Sequence, residues 1–157
     1  MSNQGVRGYY QITKTIRDTL LNDPNVNTVT TGDITDVDLS KQTIFPLSHI
    51  IVNNAVWASN HWRLNISVLC MDIVDVSKEE VTDLFVGNTN EQDVLNTQLA
   101  VQNLLMTKLS RGTLHFDKYQ LDGSPSCEPF VDRFEHMLTG WVSTFDVLIQ
   151  NDIDVCS

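Results

Sequence analysis

The run HWRLNISVLCMDIVDV constrains this chain more than any other stretch. Trp62, Leu64, Ile66, Val68 and Cys70 alternate with Arg63, Asn65, Ser67 and Leu69. Side chains on a strand point to opposite faces in turn, so this alternation predicts a long, half-buried antiparallel strand. The preceding run SHIIVNNAV and the short link WASN supply its partner, giving a hairpin that pairs it with Ser48–Val56. No all-helical fold accommodates such a pair, and a long hairpin edge must be either protected or used.

A second strand-like stretch, RFEHMLTGWVSTFDVLIQ, changes parity partway. Phe134 and Leu138 fall on even positions, whereas Trp141, Phe145, Val147 and Ile149 fall on odd ones. A one-residue slip sends an apolar set to the wrong face. A β-bulge at Thr139-Gly140 would absorb the slip, because glycine tolerates the positive φ found at some bulges. On that reading Gly140 is a structural bulge, Trp141, Phe145 and Val147 face the core, and Phe134 and Leu138 reach the same face only through the extra residue. The competing reading is a helical turn over Val131–Leu138, broken at Gly140 and followed by a strand from Trp141.

The remaining elements fix the class. Tyr9, Ile12, Ile16 and Leu20 recur at helical spacing and predict a helix over Tyr9–Asn22, stopped by Asp23-Pro24. Val26–Thr31 reads as a short β-branched strand ending in the turn Gly32-Asp33. After a long connection over Ser77–Asn90, Thr89 and Gln92 fit a capping box for a helix that runs to Ser110-Arg111 and stops at Gly112. That helix is apolar on more than one face, so it needs cover on most of its circumference or a neighbouring subunit. A short strand near Thr113–Phe116 and the turn-rich piece DGSPSCEP follow. Helices segregated from a run of antiparallel strands predict an α+β fold. The expected arrangement is one structural domain over 1–157, with an antiparallel sheet and its long hairpin packed against two helices.

The chemistry sought in the sequence is mostly not there. Asp plus Glu outnumber Lys plus Arg by 20 to 10, a formal charge of −10. That argues against a surface that grips phosphate, though a negative wall lets DNA pass without sticking. Cys70, Cys127 and Cys156 lack any CxxC spacing, so reduced thiols are expected rather than a disulfide framework or zinc site. The N-terminus MSNQGVRGYY reads as no signal peptide, and no apolar run approaches the ~20 residues of a membrane span. Asp33, Asp36 and Asp38 lack the EF-hand pattern and read as an Asp-rich turn. His49, His61, His115 and His136 show no metal-ligand spacing. Asp72, Asp75, Glu79, Glu80 and Asp83 form an acidic cluster at the end of the long strand, read as solvated rather than catalytic. Trp57, Trp62 and Trp141 serve core or interface packing before they serve a pocket. The sequence thus predicts a binding or structural protein, with no catalytic residues, cofactor or metal.

The segments DVDLSKQTIFPLSHIIVNNA, LNISVLCMDIVDVSKEE, NEQDVLNTQLAV and CEPFVDRFEHMLTGWVSTFDVLIQND together resemble small head–tail proteins of tailed phages, including those of Bacteroidetes and crAss-like phages. The order of N-terminal helix, long hairpin, helix and bent strand around LTGW is similar to tail terminator and neck ring proteins. The chain departs from that pattern at Gln150, where a proline is expected before the Asn-Asp pair. The resemblance implies a virion protein, assembled in the host cytoplasm, that forms a closed ring of itself, six- or twelve-fold, at the head–tail junction. It implies portal, connector or tail-tube neighbours, no membrane, and DNA passing through without specific binding. Asp72, Asp75, Glu79, Glu80 and Asp83 would then face the lumen or an interface. Other readings are a tail-tube or baseplate component, a tail-assembly factor, or a small-molecule-binding or enzymatic α+β domain with tryptophans lining a pocket.

Overall fold

A computed structural model describes residues 7–39, 41–76, 80–85, 87–133 and 137–151. Their order is α1 (Arg7–Leu21), β1 (Thr28–Thr31), two short 3-10 turns (Ile34–Asp36 and Gln42–Ile44), β2 (Leu47–Trp57), β3 (His61–Ile73), α2 (Glu91–Leu109), the single turn α3 (Leu114–Asp117), β4 (Tyr119–Arg133) and β5 (Leu138–Gln150). The five strands make one sheet in the order β1-β2-β3-β5-β4. All pairings are antiparallel except β1 with β2, which is parallel. The fold is α+β.

The apolar stripe of α1 reads as expected: Ile12, Ile16 and Leu20 are buried against the sheet. The same core takes Val101, Leu105 and Leu109 from α2, Leu64, Ile66, Val68 and Cys70 from β3, and Phe145, Val147 and Ile149 from β5. A second core lies on the opposite face of the sheet, at one end only. There Leu47, Leu69, Met71, Phe130 and Leu138 are covered by Leu39 and Phe45, which come from the irregular segment between β1 and β2. Beyond that cover the second face is polar and open. Asn53 donates to Asn65 and Ser67, Asn65 donates to Asp146, and Ser67 meets Thr144.

This two-sided burial corrects the reading of Gly140. Pairing of β5 with β3 is unbroken from Ile73↔Leu138 through Met71↔Gly140 to His61↔Gln150, so β5 has no bulge at Gly140. The irregularity lies in the neighbouring strand, between Val131 and Arg133 of β4. Phe145 and Val147 are buried in the helix-side core as expected, but Leu138 faces the second core. Trp141 is half-buried, its indole N–H donating to the Leu95 carbonyl at 2.8 Å. The parity never switches: even positions of β5 serve one core and odd positions the other. Phe134 lies outside the described residues. The helical alternative fails as well, because Val131 belongs to β4.

Two further expectations change. Residues Leu114–Asp117 form a helical turn rather than a strand, capped by the Thr113 hydroxyl accepting from Phe116 N–H. The DGSPSCEP piece lies within β4. As an edge strand β4 can hold Pro125 and Pro129, and its register breaks between Asp122 and Ser126, around Gly123 at φ +71°. At the start of α2, Asn90 occupies the cap position without a side-chain cap bond, its Oδ1 accepting instead from Asp75 N–H at 2.7 Å. Thr89 Oγ1 accepts from Glu91 N–H at 3.4 Å.

Candidate functional site

The acidic set sits where β3 leaves the sheet. Asp72 is half-buried, and its carboxylate accepts from Ile73 N–H at 2.8 Å. Burial raises its pKa, the Ile73 bond opposes that, and nearby Asp75 adds to the rise. Asp75, Glu80 and Asp83 are exposed on the connection that follows. The neck of that loop is tied by the Val76–Thr89 bridge and by paired bonds between Asp75 and Asn90. Asp83 accepts from Phe85 N–H through its side chain and from Gly87 N–H through its carbonyl, which turns the loop tip. Glu79 lies outside the described residues. The described members therefore share one end of the molecule without converging on a point, and no group of three or more metal-ligating side chains occurs among the described residues.

The same loop carries a feature that sequence reasoning passed over. Leu84 is 93% exposed and Phe85 80% exposed. Two adjacent large apolar side chains in solvent on a tied loop form a small exposed apolar patch that the chain's own core does not use. The sequence signal was present, an apolar pair directly after Asp83 in TDLFVG, but an apolar pair reads equally as core.

The tryptophans do not share a pocket. Trp57 and Trp62 face each other across the β2–β3 pair at the hairpin tip. Trp141 pairs with Cys70, eight positions along β3 from Trp62, about 27 Å at the usual strand rise. Beside the tip, Tyr9, Val52, Asn54, Ala55, Trp62, Leu64 and Ile149 line an open, mainly apolar depression.

His49 and Asp33 have structural partners. His49, fully buried, lies between Thr30 Oγ1 at 2.6 Å and the Gly32 carbonyl at 2.8 Å. A carbonyl only accepts, so Nε2 carries the proton and Nδ1 accepts from Thr30. The ring thereby fastens β1 to β2. Asp33 accepts from Thr35 N–H at 2.9 Å, and that bond lowers its pKa. Burial pushes the Cys70 thiol up to about 12, while Cys127 is also raised. His136 and Cys156 lie outside the described residues.

Burial lowers the pKa of His49 below its ordinary value of 6.5, against the smaller opposing effects of the Gly32 bond and Asp33. The folded state therefore binds this proton less readily than the unfolded chain. The His49 contribution is complete above about pH 6.5 and is lost as pH falls through the folded pKa. Thermal melts should show stability dropping on acidification below about pH 6.5, and His49→Gln should flatten that drop while lowering stability at pH 8. Asp72 works in the opposite sense at lower pH, since its raised pKa favours the folded state once it is protonated. An unchanged acid slope in His49→Gln would assign the drop to other groups.

No protein-family model matches the chain, and no curated protein matches it in sequence.

Proposed function

We propose that this chain is a structural subunit of a tailed-phage particle that closes into a ring at the head–tail junction, as a tail terminator or neck ring. The observation that carries the reading is the tied acidic loop with Leu84 and Phe85 standing in solvent. A loop that presents anchors away from its own core suits a heterologous contact, in which one patch meets a different patch on the next copy and rotation closes the ring. Its carboxylates Asp75, Glu80 and Asp83 then border the channel, where negative charge repels passing DNA. The α+β architecture, with both long helices on one sheet face, agrees with the resemblance in the sequence.

The test is assembly. Purified chain, alone and on tubes of the matching tail-tube protein, should give closed rings in electron micrographs. Leu84→Ser with Phe85→Ser should abolish the rings and leave the thermal melt within about 1 °C, because exposed side chains contribute little to folding. Rings that survive the double substitution would remove the loop from the contact. A chain that forms no ring under either condition would overturn the reading.

A further inference from the structure

Two features of the molecule have no use within it, and their chemistries are opposite. One is the tied loop after β3, where Asp83 is followed directly by the exposed pair Leu84 and Phe85, with Glu80 close in the chain. The other is a cleft on the helix side of the sheet, between α1 and β1. Its floor is apolar, made by Val29 of β1 and Ile50 of β2. Its rim is one face of α1, on which Tyr10, Lys14 and Arg17 recur at helical spacing. The Tyr10 ring is largely exposed. Lys14 makes no ion pair among the described residues, and Arg17 pairs with its neighbour Asp18 at 3.2 Å, both side chains about half exposed. Such an exposed pair is weak, so the guanidinium is available to a second carboxylate. Thr31 borders the cleft, and Asp33 beyond it already accepts from Thr35 N–H.

Size and charge together select the occupant. The cleft has a volume of about 170 Å³, below the roughly 300–1,000 Å³ of a site for a cofactor or drug-sized ligand. It suits one large side chain of a docked segment. In a chain of formal charge −10, two cations beside an apolar floor call for a carboxylate next to an apolar side chain. The order Asp83-Leu84-Phe85 supplies that pairing. Other depressions fit it worse. Those at the hairpin tip and beside α2 have no charged lining residue, so Asp83 would enter them without a cation. The one at the neck of the loop is itself acidic, lined by Asp75 and Glu80.

We infer that the loop of one copy docks in the α1–β1 cleft of the next, with Phe85 over Val29 and Ile50 and its ring beside Tyr10, and with Glu80 and Asp83 meeting Lys14 and Arg17. The inference rests on the ring reading and deepens it by supplying the second patch that a heterologous contact requires. It also meets the objection of net charge. Copies of charge −10 repel wherever acid faces acid, so a self-contact has to be seated on the chain's cations. Loop and cleft lie on different elements, one after β3 and the other between α1 and β1, so a copy can give one and receive the other.

The contact can be tested without a ring. A cyclic peptide of sequence VSKEEVTDLFVGNT, closed end to end as the Val76–Thr89 bridge closes the loop, should bind the full chain and shift the amide resonances of Tyr10, Lys14, Arg17 and Thr31. Lys14→Glu with Arg17→Glu should weaken that binding at least about tenfold, because like charges then oppose. Lys14→Gln with Arg17→Gln should show the same direction of change and guards against damage to α1, since glutamine keeps the helix propensity. The peptide with serine at both apolar positions of DLF should not bind. In assembly, Lys14→Glu with Arg17→Glu should form no rings, and neither should Glu80→Lys with Asp83→Lys. An equimolar mixture of these two should form rings again, each loop then entering a cleft of opposite charge in an alternating ring of six or twelve. A cyclic peptide that fails to bind, binding indifferent to the cleft charges, or a mixture that stays without rings where the wild type forms them would each overturn the inference. Peptide binding in the cleft by a chain that makes no ring would support the docking site and overturn the ring reading, whereas wild-type rings without peptide binding would do the reverse.

Discussion

Gly140→Ala is expected to destabilise the protein by about 3 kcal/mol, as overpacking against rigid backbone does. For a chain of this size that is a fall of about 6–12 °C in melting temperature. The reason is contact, not conformation. A Cβ placed on Gly140 would collide with the Cys70 carbonyl oxygen and lie 2.8 Å from Met71 Cα, both backbone atoms of the paired strand. Neither can rotate aside as a side chain would. Gly140 is not among the residues of positive φ, so the freedom that glycine brings to bulges is not what the position uses. Gly140→Val should be worse again and leave little folded protein. Ser143→Val should cost only about 1 kcal/mol: the Ser143 hydroxyl donates a long bond to the Val68 carbonyl, which also accepts from Gln102 at 2.9 Å. Asparagine decides between the two explanations. At a left-handed backbone it is tolerated better than alanine, whereas at a crowded site its larger side chain is worse. Denaturant melts ranking Gly140→Asn above Gly140→Ala would show that backbone conformation is limiting after all.

Gly140 sits where the sheet buries both of its faces, and such places are the hardest to read from a sequence. Around the hairpin, one sheet face is half open, so alternation over Trp62–Ser67 survives in the sequence and β2–β3 was legible. α1 was legible for the same reason, since its stripe of Ile12, Ile16 and Leu20 meets a single core. Where both faces are covered, alternation disappears. Val68–Met71 reads as a continuous apolar run, and Leu138 before Phe145 and Val147 reads as a slip, although Val68, Cys70, Phe145 and Val147 face one core and Leu69, Met71 and Leu138 the other, while Trp141 is half-buried and belongs to neither. A second core built from the irregular segment Leu39–Phe45 leaves no periodic mark of its own. β4 was missed because glycine and two prolines read as turn, and only its position at the sheet edge permits them. Within the candidate site, the acidic cluster was visible and its chain address correct. What could not be read was exposure: nothing in TDLFVG distinguishes an apolar pair that reaches solvent from one that is buried.

The second large effect is a gain. Gln98 of α2 is 1% exposed, and neither its Nε2 nor its Oε1 has a hydrogen-bond partner among the described residues. One turn later Gln102 is also buried, but its Nε2 bridges the Val68 carbonyl at 2.9 Å and the Trp141 carbonyl at 3.2 Å. Gln102 Oε1, like both polar atoms of Gln98, has no partner among the described residues, so the two glutamines differ in the amide nitrogen alone. Gln102 ties α2 to adjacent strands β3 and β5, whereas Gln98 takes an amide out of water without recompense, which costs about 1–3 kcal/mol for an unsatisfied group. Methionine has nearly the same length and no strong polar atom, so Gln98→Met should raise stability by about that amount, or about 2–12 °C in a melt. Gln102→Met should lower it by a similar amount, because it strips a donor from two buried carbonyls. The pair of substitutions works as its own control, since both remove one amide from the same helix face. If Gln98→Met proves as harmful as Gln102→Met, the Gln98 amide is satisfied in the folded protein, and the space between α2 and the sheet holds a polar partner that must then be identified.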